Sequence, residues 1–575
     1  MPTNALDRQL TQLEASRYRF GRNEAASVVK QLNRLDAKRF PDPASLIRFH
    51  EALLFLRAFP QAPVVVRATE RILNSFHKKV EALRKAGADM DAFEPIEVSG
   101  IAGTEMEDTL SFDVASWLIK RLSGKVEIAW ENYEPGRELG ATGPRFMPLL
   151  EDDAYVEADT PWRRWLETAA GKKGSDPAWL LQRFADLPLA PIQKAELYES
   201  LRLPLRWKLE NSVVARTRNW KPVPNVFYHS EPLISRSQVS LAGELAKRPP
   251  QLTRLSRKQG DEIMDMIREV MLVRYRELYG TTLGDPTSVV RAEVRADLGT
   301  HEAGRGVSIY LWNLPPDRRL PLRAYVAGLT LKNGVPVNYI EAIGLCEWME
   351  VGFNTFYTFR GGEAGWIYAQ VLRCLCYLMG TTCISVYPYQ LGHENEEAIE
   401  SGAFWFYRKL GFRPGRPELQ KLVEREERSI AANPAYRTPA RTLRRLAAGH
   451  VFYELPGSEV GAWDRFSTRN IGLRLNRRMA REFGGDAVRM REHSRRALER
   501  EFGVSTSSWT PLEKAAFENF ALVLTGVPGL RAWTRKEKVD LIPIIRAKAK
   551  PDEMLYLHST QRHVRLRRAL LTLGS

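Results

Sequence analysis

The chain has 575 residues, with 85 Lys plus Arg against 69 Asp plus Glu, giving a formal charge of +16. At 44% hydrophobic and 27% charged it has a globular composition, which excludes a disordered, collagen-like or coiled-coil chain, and its length allows three or four domains. No run approaches the roughly 18–20 apolar residues of a membrane span, the start carries no apolar signal core, and four Cys are too few for a disulfide framework, so the expectation is a reduced, cytoplasmic protein without membrane contact.

Residues 1–90 form a helical N-terminal region. LIRFHEALLFLRAF (46–59) and VVVRATERILNSFHKKVEALRKAG (64–87) repeat apolar residues at helical spacing, and Gly87 is a stop. Residues 91–250 form a mixed α/β region of unknown role. In it, IEVSGIAGTEMEDTLSFDVASWLIKRL ends in an amphipathic helix and KVEIAW is a strand candidate. AELYESLRLPLRWKLENS is predicted helical, broken by Pro204.

Residues 251–416 change texture. RKQGDEIMDMIREVMLVRYRELYG (257–280) is an amphipathic helix, and SVVRAEVRADL (288–298) and VSIYLWNL (307–314) read as strands. LRAYVAGLTLKNGVPVNYIEAIGL (322–345) holds two strands around Asn333-Gly334, the residues a tight type I′ hairpin demands. A strand within CEWMEVGFNTFYTF (346–359) leads into the turn Arg360-Gly361-Gly362-Glu363-Ala364-Gly365. A helix (366–380), a strand TTCISVYPYQ (381–390) and a further helix ending in FYRKLGF (406–412) complete the segment.

Residues 417–575 form a basic, mostly helical C-terminal region. Residues 437–500 carry 15 basic and 7 acidic side chains, and residues 531–550 carry 7 and 2. Arginines on helical faces can meet phosphates, but acidic residues three or four positions away, as in Arg478/Glu482, equally suit a self-paired solvated face. A nucleic-acid or protein partner for this region stays open.

The chemistry concentrates in the turn and the segment after it. A Gly-rich strand-to-helix turn presents backbone N–H groups at the positive end of a helix, an anion site suited to a pyrophosphate. Arg360 can add a charged contact. AFWFYRKLGFRP resembles the last motif of the GNAT acyltransferases, an Asn- and Ala-containing helix ending in Tyr-x-Lys-x-Gly-Phe. RGGEAG resembles the acyl-CoA pyrophosphate loop of the same superfamily at the expected distance upstream. The resemblance covers about 160 of the 575 residues. Two positions depart from it: Glu363 occupies a glycine position of the loop, where a carboxylate repels pyrophosphate unless it turns away or pairs with a base, and Asn395 lies about four residues too far from the Tyr.

The resemblance implies a mixed, mainly antiparallel α/β sheet with flanking helices and N-acyl transfer from acetyl-CoA or another acyl-CoA to an amine acceptor it does not identify. It matches Tyr407 to the acid that protonates the departing thiolate. Among Glu341, Glu347 and Glu350 as base, Glu350 is favoured; His393 is a weaker candidate. Backbone of Val351–Phe356 would pair with a pantetheine arm, with Phe353, Asn354 and Phe356 around it, and Arg360 to Gly365 with Asn395 would hold the rest of the acyl-CoA. Cys374, Cys376 and Cys383 read as small buried hydrophobes, with no metal. The other reading is an inactive GNAT-like binding or regulatory protein whose basic helices hold a partner.

Overall fold

The computed structural model describes residues 5–21, 23–133, 142, 145, 162–171, 176–210, 214–248, 250–275, 284, 286–293 and 304–575. The predicted positions 276–280 and 294–298 lie outside them. The chain is mixed α/β, with helices around two sheets, and it divides into two compact units. Among the described residues no helix is long and apolar enough to cross a membrane.

The first unit comprises residues 1–224, 228–232 and 262–282. It opens with five helices, Ala5–Ser16, Glu24–Asp36, Pro43–Ala58, Pro63–Asn74 and His77–Lys85. The last two interrupt the continuous periodicity of 64–87 at Ser75, whose hydroxyl donates back to the Ile72 carbonyl (3.3 Å). Strands β1 (Glu105–Thr109), β2 (Val126–Ile128) and β3 (Pro204–Lys208) form a sheet in the order β1-β3-β2. β3 corrects the helical prediction for the stretch after Pro204. Proline ends the preceding helix Pro191–Glu199, and Leu205 and Trp207 then alternate into the core.

Within this unit His50 is fully buried, 2.8 Å from the Thr217 hydroxyl and 3.1 Å from Glu51, and Glu51 also pairs with buried Arg216. The Thr217 hydroxyl accepts from the Ala102 N–H (2.8 Å), so the group ties three distant segments together.

The second unit comprises residues 225–227, 233–261 and 283–575. Its sheet has nine strands: β4 (Gln251–Arg254), β5 (Val290–Glu293), β6 (Val307–Asn313), β7 (Ala324–Lys332), β8 (Val335–Leu345), β9 (Trp348–Thr355), β10 (Cys383–Val386), β11 (Arg413–Pro414) and β12 (Val451–Glu454). Their order is β11-β12-β10-β9-β8-β7-β6-β5-β4. All neighbours are antiparallel except β9 and β10, which are parallel and joined through the helix Ala364–Met379. The Asn333-Gly334 hairpin is present, with φ of 50° and 81°. β12 corrects the helical prediction for this stretch; its short run VFYE is buried at Val451 and Phe452 and lies between β10 and β11.

The C-terminal helices pack on the same sheet. Trp348 of β9 stacks on Trp463 with ring centroids 5.3 Å apart, and a core of Phe466, Leu498, Phe517, Phe520 and Leu570 extends from that contact. The basic third of the sequence therefore shares one apolar core with the sheet, through Leu345, Trp348 and Cys383.

Candidate functional site

The parallel pair β9–β10 is short. Its last register pair is Ser385 with Glu350, after which β10 ends at Val386 while β9 runs on to Thr355. The other edge of β9 stays paired with β8, and the Phe356 N–H still donates to the Val337 carbonyl (3.1 Å). Among the described residues no strand pairs with residues 351–355 on the β10 side. Tyr387-Pro388 turns the chain away into the short helix Pro388–Leu391, because proline cannot extend a central strand. A notch thus opens at the fork of two strands, and the Gln390 side-chain amide donates to Asn354 Oδ1 beside it (3.4 Å).

The three carboxylates weighed as bases have different fates. Glu347 accepts from Trp463 Nε1 (2.7 Å) and Arg567 Nε (2.6 Å) and serves the core. Glu341 accepts from the hydroxyls of Tyr325 and Tyr339; burial, first of all, pushes the Tyr339 phenol up. Glu350 stands at the fork with its carboxylate 3.0 Å from His450 Nε2, and both side chains are partly exposed, at 18% and 34%. Register places Glu350 and Glu341 on one face of the sheet, opposite Ile343 and Gly352 respectively.

His450 precedes β12 and has no counterpart among the residues singled out from the sequence; His393, the histidine considered there, is exposed in the loop after Leu391. The His450 ring packs edge-on against Tyr387 (centroids 5.4 Å), and the Tyr387 hydroxyl accepts from Arg469 (3.0 Å). Glu350 and His450 are joined by one polar contact and Arg469 and Tyr387 by another, with the His450 and Tyr387 rings edge to face between them.

Tyr407 lies elsewhere. It is 3% exposed on the helix Ala403–Arg408, its ring 5.7 Å from Tyr368 and 5.8 Å from Phe412, and burial pushes its phenol up, holding it protonated. Phe353 packs on that same Tyr368 (4.6 Å). Phe353 and Glu350 alternate along β9, so Tyr407 and Glu350 belong to opposite faces of the sheet, with the notch at the strand between them. The side chains of Phe353 and Phe356 are buried, leaving backbone at the open edge, and Asn354 is half-buried.

The Gly-rich turn connects β9 to the helix Ala364–Met379 as expected, with Gly361 exposed and Gly362 half-buried. Arg360 pairs with Glu397 and lies 3.8 Å over the Tyr357 ring. Ala364 and Gly365 begin the helix, and Gly365 lies under Arg236: a Cβ there would approach the Arg236 Cγ to 3.1 Å. Glu363 is fully buried beneath the turn. It accepts from Arg305, from Lys332 Nζ (3.3 Å) and from the Ile234 N–H (3.1 Å), and Lys332 is itself fully buried. The residue that departs from the loop pattern is thus neutralised by two cations. Asn395 caps the helix Glu396–Glu400 through the Ala398 N–H (3.2 Å) and donates to the Tyr389 carbonyl (3.1 Å).

Cys374 and Cys383 are buried and Cys376 partly so; burial pushes the Cys374 and Cys376 thiols up to about 12. Among the described residues no cluster of His, Cys, Asp or Glu has the makeup of a metal site. On the C-terminal helices Arg478 pairs with Glu482 (2.9 Å) and Arg495 with Glu499 (2.9 Å), the self-paired pattern.

The chain matches no protein-family model, no curated protein and no solved structure.

Proposed function

We propose that the second unit is a GNAT-like N-acyltransferase that moves an acyl group from acyl-CoA to an amine. One observation carries the reading: the parallel strands β9 and β10 part at Glu350/Ser385, and β9 continues with an open edge into a Gly-rich turn that starts a helix. An open strand edge accepts an extended amide-containing arm as an added strand, and a helix start behind glycines accepts the phosphates to which that arm is joined. A pantetheine diphosphate has both parts in that order. Burial of Glu363 against Lys332 and Arg305 removes the repulsion its charge would otherwise bring to the turn.

In this reading the acceptor nitrogen attacks the thioester carbonyl, an N–C bond forms and the C–S bond breaks. Glu350, backed by His450, takes the proton the nitrogen loses. Tyr407, held protonated by its burial, supplies a proton to the departing thiolate from the other face of the sheet. Arg360 exchanges an exposed ion pair with Glu397, worth little in water, for a phosphate. The test is calorimetric titration of the full chain with acetyl-CoA, followed by release of free thiol in the presence of amines. Binding with thiol release supports the reading. Absence of binding by acetyl-CoA and by longer acyl-CoAs overturns it in favour of an inactive binding protein.

A further inference from the structure

A cavity of about 290 Å³ opens in the second unit, where Arg254, the last residue of the edge strand β4, and Asn313, the end of β6, come up against the helix Glu553–Gln561. Glu553 turns inward. It is fully buried, pairs with buried Lys548 and accepts from the Tyr325 N–H (3.3 Å), which anchors the start of the helix. Asp552, the residue before it, is exposed. One of its oxygens accepts from the Met554 N–H (3.0 Å), and the other lies 3.8 Å from the Arg254 guanidinium. That separation is beyond a hydrogen bond, so two opposite charges stand side by side on the cavity wall without joining. The rest of the lining is largely apolar, from Leu378, Pro551, Met554 and Leu555, and Leu555 is left 54% exposed. Polar contacts hold these walls in place: the His558 ring donates through Nε2 to the Leu378 carbonyl (3.1 Å), and the Asn313 N–H donates to Ser288 Oγ (2.8 Å).

We propose that this cavity binds a free apolar α-amino acid as its zwitterion, with the carboxylate on Arg254, the ammonium on Asp552 and the side chain against Leu378, Met554 and Leu555. An α-amino acid carries both charges on groups bonded to one carbon, so it can bridge an arginine and an aspartate that lie close without touching. The guanidinium fork matches a carboxylate, and the apolar lining takes the side chain out of water. The volume suits one small molecule: it sits at the lower end of the range for ligand pockets, about 300–1,000 Å³. The cavity is separate from the fork of β9 and β10. Leu378 is in the last turn of the helix Ala364–Met379, about 20 Å along it from the Gly-rich turn, so the site stands independently of the transferase reading.

The experiment is calorimetric titration of the full chain with leucine and phenylalanine, and with three probes that each lack one element. Leucinamide lacks the carboxylate, isocaproate the ammonium and glycine the side chain. At least one of the two apolar amino acids is expected to bind with a dissociation constant below about 1 mM. Each incomplete probe should bind about tenfold more weakly or worse, the ratio one charge-assisted contact gives. Arg254→Gln and Asp552→Asn should each weaken binding by about tenfold or more. Both positions are exposed, and asparagine keeps the cap on Met554, so the urea midpoint should stay unchanged and the loss report on the ligand alone. Absence of binding by both amino acids overturns the proposal. So does binding of isocaproate or leucinamide as tight as that of leucine, which would leave no role for the paired charges, and so does binding that survives in both variants. Acetyl-CoA enters none of these measurements, so their outcome does not depend on that of the transferase test.

Discussion

The His450 imidazole meets the Glu350 carboxylate at 3.0 Å across a separation of 100 residues. Glu350 stands within β9 at its last pairing with β10, and His450 is the residue before β12. A carboxylate with an imidazole beside it is an acid–base pair, and its place at the point where two parallel strands part gives it access to whatever lies in the notch.

Glu350→Gln keeps the shape of the fork and removes the proposed base. Thiol release in the presence of acceptor is expected to fall by about 100-fold or more, the usual contribution of a positioned base, while the dissociation constant for acetyl-CoA, measured by calorimetry, stays within about twofold. A large loss of acetyl-CoA affinity would show that Glu350 holds the donor and not the acceptor's proton.

Tyr407→Phe removes one hydroxyl from a packed aromatic cluster. Turnover is expected to drop by at least about tenfold with little change in acetyl-CoA affinity, because the acid acts on the leaving group. Unchanged turnover would return Tyr407 to a packing role. Gly362→Val is expected to act oppositely: crowding the turn weakens acetyl-CoA binding by about tenfold or more, read as a rise in Kd, and an unchanged Kd would remove the turn from the donor site.

Glu363→Ala leaves Lys332 buried without its carboxylate. Removing one partner of a buried ion pair costs about 3–5 kcal/mol, so the urea midpoint should fall sharply. Lys332→Met is expected to be damaging for the mirror reason. The double variant, with neither charge, should recover part of the loss. Additive losses in the double variant would mean that the two side chains act independently.

His50 makes stability depend on pH. Its burial lowers its pKa below the ordinary 6.5, so the unfolded chain binds a proton that the folded chain refuses. The stability this gives is present above about pH 6.5 and declines as pH falls through that value towards the lowered folded one. Urea midpoints at pH 7.5 and 5.5 should differ, and the difference should shrink in His50→Gln. An undiminished difference would assign the pH dependence to other groups.

The local features of the second unit were legible because their causes are local. Asn333-Gly334 adopts positive φ in its own turn, the Gly-rich segment comes directly after its strand, and Glu350 sits in a strand whose apolar neighbours declare it. What the sequence concealed arrives from afar. Nothing near Glu363 announces that Arg305 and Lys332 will bury it, since they come from 58 and 31 residues away. His450 stands before only four strand residues inside an Arg-rich helical region. Its faint signal is the β-branched and aromatic run Val451-Phe452-Tyr453 shortly after Gly449, too brief to outweigh the helical pattern around it. The strand after Pro204 was obscured similarly: helix-forming leucines surround it, and only its pairing with β1 and β2 decides its state.

The insertion of β12 between β10 and β11 has a consequence for synthesis. When a ribosome has released residue 416, the motifs that resemble an acyl-CoA site are complete in sequence, yet β11 has no neighbour to hold it to the sheet and Glu350 lacks its His450 partner. The nascent chain must keep the flank of β10 bare until residues 450–454 emerge and thread between strands made earlier. The sheet is therefore closed from its C-terminal side, and a fragment cut at the end of the motif region would expose a strand edge open to other chains.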